Sequence, residues 1–262
     1  MLPGRRIAEG RTAEVYLWGE TQVLKLFRDW MPAAAAEYEA RIARSVAAAG
    51  APVPAVGEVV EVKGRLGIVY ERVTGPSLMD LMQADPGTIP HYASLLAELH
   101  AALHAQPAVL ALPAQRARLA EHIAAAEPLS PAQRAAALEK LAGMPEEGAL
   151  CHGDFHPGNI IMAERGPVII DWVDAARGSA AADVARTWVL LMGHTVYPDT
   201  PPWVRPFARE CSTVHLQRYL ALGSIVEDEV MAWVPIVAAA RLHENIPEAR
   251  EWLLSVAERG AP

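Results

Sequence analysis

The chain has 262 residues, 52% of them hydrophobic, with 23 basic and 31 acidic side chains and a net charge of -8. That much apolar material excludes a disordered chain and is enough for one or two domains. The acidic balance argues against nucleic acid as a partner, because phosphate backbones select basic faces. Only three lysines are present, Lys25, Lys63 and Lys140, so each is worth a question. The two cysteines, Cys151 and Cys211, make no disulfide framework and suggest a reducing compartment. The first residues lack the apolar run of a secretory signal, and no segment approaches the twenty or so apolar residues of a membrane span. A cytoplasmic protein without a membrane partner, monomeric or homodimeric, is expected.

The first seventy residues read as strands with one helix. Val15-Tyr16-Leu17-Trp18 is rich in strand formers, Gly19-Glu20-Thr21 turns the chain, and Gln22 to Phe27 alternates. Val23, Lys25 and Phe27 then share one side and Leu24 and Leu26 the other. A helix is expected over 32–49, opened by Pro32 and stopped by Gly50. Runs 55–62 and 65–73 are two more strands, joined at Lys63-Gly64.

From Ser77 the period becomes helical, over 77–84, 89–105, 115–126 and 132–142. Alanine is concentrated here, as the best helix former should be. A β patch follows, at 149–151, 160–162 and 168–170. Helices are then expected near 180–193, 202–222, 226–243 and 247–259. The predicted architecture is α+β and bilobal: a small antiparallel lobe with one helix over 1–73, a hinge about 71–77, and a larger, mainly helical lobe over 74–262.

The β patch holds the chemistry. Polar residues crowd between apolar strands in Leu150-Cys151-His152-Gly153-Asp154-Phe155-His156-Pro157-Gly158-Asn159-Ile160, and Asp171 ends the run Ile169-Ile170. An ionised carboxylate at the end of an apolar strand needs a partner, and a metal ion is one. Asp154, then Asn159 five residues on, then Asp171, is the pattern of kinase-fold phosphotransferases. There the first Asp directs the attacking hydroxyl, while the Asn oxygen and the second Asp hold Mg2+. A metal hydrolase built on His152, His156 and Asp154 is a competing reading without a full ligand set.

In the first lobe, Glu9-Gly10-Arg11-Thr12-Ala13 is a turn between strands whose amides at Gly10, Arg11 and Thr12 could cover phosphates. Lys25, in Val-Leu-Lys-Leu-Phe, would reach phosphate and need an anion to hold it. Glu37 and Glu39 are both available but face different sides of the helix, and Glu39 is favoured. Tyr70, Glu71 and Val73 would line the adenine site at the hinge.

These motifs together resemble the aminoglycoside phosphotransferase / choline kinase superfamily of kinase-like enzymes. The resemblance runs through Lys25, Glu39, Pro52-Val53-Pro54, His152-Gly153-Asp154, Asn159, Ile170-Asp171-Trp172 and Asp183-Val184-Ala185-Arg186. It implies ATP (or GTP), Mg2+ and transfer of the γ-phosphoryl group to a hydroxyl of a small molecule. An aminoglycoside, an amino alcohol, a choline-like amine and a ketosamine are all possible acceptors. His-Gly-Asp stands where protein kinases have His-Arg-Asp, and there is no room for a long activation loop between Asp171 and Asp183. Asp183 is expected to cap the following helix and brace the catalytic loop. A nucleotide-binding pseudokinase without turnover is the alternative from another class. For the acceptor, Glu227, Asp228, Glu229, Glu244, Glu248 and Glu251 form a possible wall for a cation. Trp172, Trp188, Trp203, Trp233 and Tyr197 are possible stacking groups.

Overall fold

The computed structural model describes residues 2–106, 109–197, 200–223 and 225–260. The chain divides into two units, Met1–Ser77 with Ile160–Val173, and Leu78–Asn159 with Asp174–Pro262.

The first unit carries a five-stranded antiparallel sheet, β1 (Arg6–Glu9), β2 (Ala13–Trp18), β3 (Gln22–Phe27), β4 (Val56–Val62) and β5 (Arg65–Glu71), in the order β1-β2-β3-β5-β4. The period of two along β3 sends Leu24 and Leu26 to one face, where they pack with Val62 and Val69. Phe27 goes to the other face and meets Ile68 with Ala36 and Ala40 of helix α1 (Ala33–Ala48). Small alanines on α1 let it lie close to the sheet, so Lys25, on the Phe27 side, faces that helix.

Residues 160–173, read along the chain as part of the helical lobe, group with this first unit instead. They form a hairpin, β7 (Ile160–Ala163) with β8 (Gly166–Ile169). Its backbone is tied by Met162 N–H to Pro76 O (2.9 Å) and Ile169 N–H to Pro52 O (2.7 Å). Arg165 adds an ion pair with Glu71 at 2.5 Å. Gly75 is required where the chain passes the hairpin, since a Cβ there would run into the Met162 carbonyl.

The second unit is helical: α2 (Leu78–Ala84), α3 (Ile89–His104), α4 (Gln115–Ala125), α5 (Pro131–Gly143), α6 (Ala180–Gly193), α7 (Val204–Ala221), α8 (Glu227–Arg241) and α9 (Arg250–Arg259). Its core joins Val184, Ala185 and Val189 of α6 to Tyr219 of α7 and to Val230, Val234 and Val237 of α8. The expected β patch is not one sheet. Strand β6 (Ala149–Cys151) pairs with β9 (Ala176–Gly178), which sequence reasoning missed because a three-residue Ala-Arg-Gly run shows no alternation. Among the described residues no helix is long and apolar enough to cross a membrane.

Candidate functional site

In the first unit the lysine is held from two sides. Its Nζ lies 2.8 Å from Glu39 Oε1 and 2.8 Å from Asp171 Oδ1. Glu39 sits on the buried stripe of α1 at 3% exposure, while Glu37 is exposed, which settles the choice between them. Burial by itself would lower the Lys25 pKa, but the Asp171 and Glu39 charges outweigh it and raise it. The ammonium is therefore permanently charged. Burial pushes the Glu39 carboxyl up against the pull of Lys25. Tyr70 does not present its hydroxyl as a free group: it donates to Glu39 Oε1 at 3.1 Å and so fixes the acceptor of the ion pair. Asp171 takes φ of 63°, unusual for a residue with a Cβ. Its side chain is 42% exposed, leaving the second oxygen accessible.

The other first-unit candidates are less free than expected. Gly10 N–H donates to Ala13 O (2.8 Å) inside its own turn, so that amide is already used. The Thr12 carbonyl accepts from Arg28 N–H (2.9 Å), tying the turn to the end of β3, and Arg11 is exposed between them. Glu71 N–H donates to Ala55 O (2.9 Å), and its carboxylate accepts from Ala55 N–H and pairs with Arg165. That amide and side chain are thus already engaged within the lobe. Val73 follows it, half-exposed, beyond the end of β5.

In the second unit Asp154 and Asn159 share one rigid loop after β6. Asn159 Nδ2 donates to Asp154 O (2.9 Å) and Oδ2 (3.3 Å), which turns the amide oxygen away from Asp154. Asp154 Oδ2 lies 3.5 Å from His156 Nε2, and Oδ1 3.9 Å from Arg186 Nη2. Burial would raise the Asp154 pKa, but the His156 hydrogen bond and the charges of His156 and Arg186 hold it well below the ordinary carboxylate range. Asp154 is thus an anion throughout the useful pH range. Gly153 explains the His-Gly-Asp departure: its φ is 80°, and a Cβ would sit 2.5 Å from Asp174 O, so no arginine could stand there.

The loop is anchored from beneath by Asp183, which is 0% exposed. It is not the helix cap; Ser179 holds the N-cap position of α6 and Asp183 lies within the first turn. Its Oδ2 accepts from His152 N–H (2.7 Å), His100 Nε2 (3.1 Å) and His104 Nε2 (3.2 Å), and its Oδ1 from Gly153 N–H (2.8 Å). Both rings have a consistent proton assignment. Tyr219 O–H donates to His104 Nδ1 at 2.6 Å, and His215 Nε2–H donates to His100 Nδ1 at 3.3 Å. His100 and His104 went unnoticed in the sequence, although two histidines four apart on an apolar helix face were the visible signal. Among the described residues these two with Asp183 are the one His/Cys/Asp/Glu trio whose ligand atoms are in mutual reach. His152, His156 and Asp154 form no such trio, so the hydrolase reading has no ligand set.

This network makes the fold acid-sensitive. Burial, with the charge of His104, holds the His100 pKa down at about 4 from an ordinary 6.5, and burial with the charge of His243 holds His122 at about 4. Between these limits the unfolded chain binds protons that the folded chain does not, so stability falls as pH falls from about 6.5 to about 4. His100, fully buried, contributes a slope of at most about 1.4 kcal/mol per pH unit, and the part-exposed His122, screened by solvent, contributes less. Asp183, held well below its ordinary value, adds its own loss only at more acid pH. Denaturant titrations from pH 7 to 4 should show this decline, and a flat profile would refute it.

The acids of the expected wall divide: Glu244 is paired, while Glu227, Asp228, Glu229, Glu248 and Glu251 are exposed. Glu227, Asp228 and Glu229 occupy the first turn of α8, where the helix dipole favours acids, and Glu229 accepts from Val226 N–H at 2.9 Å. Glu248 lies in a 3-10 turn and Glu251 in the first turn of α9. Glu244 is paired, with Oε1 2.6 Å from Arg186 Nη2 and Oε2 3.4 Å from Arg241 Nε. Of the aromatics, Trp172 and Trp233 are core, Trp203 is exposed, and Trp188 stacks on Trp252 with Tyr197 half-buried.

A family profile described as "Phosphotransferase enzyme family" matches residues 3–252. The chain belongs to this family. As a phosphotransferase it shares its protein-kinase-like fold with solved structures of low sequence identity. One is aminoglycoside phosphotransferase APH(4)-Ia in a ternary complex with AMP-PNP and hygromycin B, at 19% identity, covering 97% of this chain and 91% of that one, TM-score 0.63. Another is an aminoglycoside-3'-phosphotransferase of type VIII, at 20% identity, 92% and 90% coverage, TM-score 0.64. A third is a choline/ethanolamine kinase family protein from Mesorhizobium loti, at 18% identity, 98% and 86% coverage, TM-score 0.59. A search of curated proteins found no match.

Proposed function

We propose that this phosphotransferase uses ATP, with GTP as the alternative nucleotide, and Mg2+ to phosphorylate a hydroxyl of a small molecule in the cytoplasm. The observation that carries this reading is Lys25, charged and held at 2.8 Å from both Glu39 and Asp171. A half-buried ammonium fixed by two carboxylates is oriented before any ligand arrives, and it suits the α- and β-phosphates of a nucleotide.

In this reading Asn159 and Asp171 are the metal-holding residues. The donor set fits Mg2+: the Asn159 amide donates its N–H to Asp154 and so leaves its oxygen for a cation, and Asp171 has an accessible carboxylate oxygen. Bound there, the ion would neutralise charge on the transferring phosphoryl group. Asp154, an anion on a braced loop, accepts the hydroxyl proton of the acceptor and orients its oxygen. His156 and Arg186 keep that carboxylate ionised and aimed. Gly10, Arg11 and Thr12 cover the phosphates from their turn, by Arg11 and Thr12 rather than by the Gly10 amide. Tyr70, Glu71 and Val73 border the base, Tyr70 acting through Glu39.

Lys25→Met should weaken Mg2+-nucleotide binding by on the order of ten- to a hundredfold, the range for losing a charge-assisted contact. The readout is nucleotide-dependent thermal stabilisation of the full chain, with and without Mg2+. An unchanged response would remove Lys25 from the nucleotide site. An ATP-consumption screen over hydroxylated metabolites and antibiotics then tests turnover; stabilisation without turnover across that panel would favour the pseudokinase instead.

A further inference from the structure

Arg186, on α6, stands between two carboxylates and binds the one that is not the base. Its Nε donates to Gly153 O at 3.0 Å and its Nη2 to Glu244 Oε1 at 2.6 Å. The same Nη2 stops 3.9 Å from Asp154 Oδ1. A guanidinium and a carboxylate left to themselves close to about 2.8 Å, often through two parallel N–H donors. Arg186 and Asp154 are 17% and 26% exposed, so screening by water does not account for the gap. Burial would lower the Arg186 pKa, but the charge of Glu244 and, after it, that of Asp154 raise it.

Glu244 is fixed where it can hold Arg186. It ends the 3-10 turn Leu242–Glu244 that follows α8, and Asn245, at φ of 53°, turns the chain away. Asn245 Oδ1 accepts from Arg250 Nη2 at 3.0 Å, and the His243 ring stacks on His122 with centres 3.7 Å apart. Glu244 Oε2 lies 3.4 Å from Arg241 Nε, which leaves Oε1 directed at Arg186. Burial would raise the Glu244 pKa, but the charges of Arg186 and Arg241 hold it below the ordinary value, so the group is an anion. Asp154, meanwhile, keeps one oxygen open. Asn159 Nδ2 at 3.3 Å and His156 Nε2 at 3.5 Å both reach its Oδ2. Among the described residues no hydrogen bond reaches Oδ1, and Arg186 faces it from 3.9 Å. An arginine fork closing on Oδ1 would fill the lone pair that a proton needs.

We propose that Glu244 is a positioning residue for phosphoryl transfer: by holding Arg186 it keeps the guanidinium off Asp154 Oδ1, the oxygen that takes the proton of the acceptor hydroxyl. Arg186 then braces the loop through the Gly153 carbonyl and acts on Asp154 by charge alone. The proton passes from the acceptor oxygen to Oδ1 as that oxygen bonds to the γ-phosphorus and the bond from phosphorus to the leaving nucleotide oxygen breaks. This role rests on the reading of Asp154 as the base; the diversion of Arg186 rests on its own contacts.

Crystal structures and steady-state kinetics of the full chain as wild type, Glu244→Gln and Glu244→Ala test this. Glu244→Gln keeps the size and one acceptor oxygen, so it should fold even if the alanine variant, which strips two arginines of their anion, does not. In the variants Arg186 Nη2 should leave position 244 and close on Asp154 Oδ1 to about 2.8 Å. Turnover of ATP with Mg2+, read with water alone standing where an acceptor hydroxyl would, should fall about 10²-fold, the cost of a misplaced reacting group. The KM for nucleotide should stay nearly unchanged, because the contacts of Lys25 with Glu39 and Asp171 do not involve Glu244. A general loss of structure would move both constants. Arg186 remaining at its wild-type distance in the variants overturns the proposal. So does closure on Oδ1 with turnover retained, or a loss carried by KM rather than kcat. A wild type that consumes no ATP, with water or with any hydroxyl compound of the screen, sinks the phosphotransferase reading instead, while the variant structures still decide whether Glu244 holds Arg186 away from Asp154.

Discussion

Asp154→Ala abolishes phosphoryl transfer while nucleotide binding and folding survive: that is the largest expected effect on activity. Loss of a positioned base lowers turnover by about 10²- to 10⁴-fold. Nucleotide affinity should change little, because Lys25, Glu39 and Asp171 do not depend on this side chain for their contacts. Folding should survive for three reasons. Asn159 keeps its hydrogen bond to the Asp154 backbone carbonyl, Arg186 keeps Glu244, and the loop keeps its anchor through the His152 and Gly153 amides. Steady-state kinetics with nucleotide titration would check this, and full turnover in the variant would remove Asp154 from the chemistry. Asp154→Asn should be nearly as inactive, since the amide accepts no proton. With the Asp154 pKa held so low, the wild-type rate should show no acid limb from this group in the ordinary carboxylate range.

The largest expected effect on stability belongs to Asp183. Asp183→Ala leaves the His152 and Gly153 amides and two imidazole N–H groups in a sealed interior without their acceptor. Removing one partner from such a buried network costs about 3–5 kcal/mol, a large share of the stability of any domain. Asp183→Asn should not rescue it. Both carboxylate oxygens accept from N–H groups, so whichever way the amide is turned its NH2 faces a donor. Urea unfolding of both variants measures this, and a loss below about 1 kcal/mol for the alanine variant would show that the network is not the anchor of the loop. A severe loss of activity should accompany the loss of stability, because the same two amides hold the residues that flank Asp154. The loss of nucleotide-dependent stabilisation in Lys25→Met and the acid sensitivity below pH 6.5 are smaller effects that report on other parts of the chain.

The parts of this protein that local rules govern could be read directly. Alternation along β3 put Lys25 on the Phe27 side, and a helix with alanines on one stripe had to cover that side, so a lysine–glutamate pair was foreseeable. The Asp154, Asn159 and Asp171 spacing was recognisable because a short, stiff loop between strands allows few alternatives. Helix ends marked by Pro and Gly fell within a few residues of the observed ones.

What the sequence by itself determined, then, was the order of most elements, the two sides of β3 and a set of candidate residues for phosphoryl transfer. Only the tertiary structure decided which polar groups are already used. Nothing local shows that the Gly10 amide closes its own turn, that Tyr70 serves Glu39, that Glu244 is shared by two arginines or that Asp183 collects four donors. These pairings join residues far apart in the chain, and a charge count treats them all as available. The sequence pattern therefore suggested a free acidic wall in the last forty residues. In the folded protein Glu229 closes the start of α8 and Glu244 pairs with Arg186 and Arg241, while Glu227, Asp228, Glu248 and Glu251 lie exposed at the starts of helical turns. Whether a charge is free to bind a ligand depends on desolvation and on which distant residue reaches it first, and both are settled only when the chain has folded.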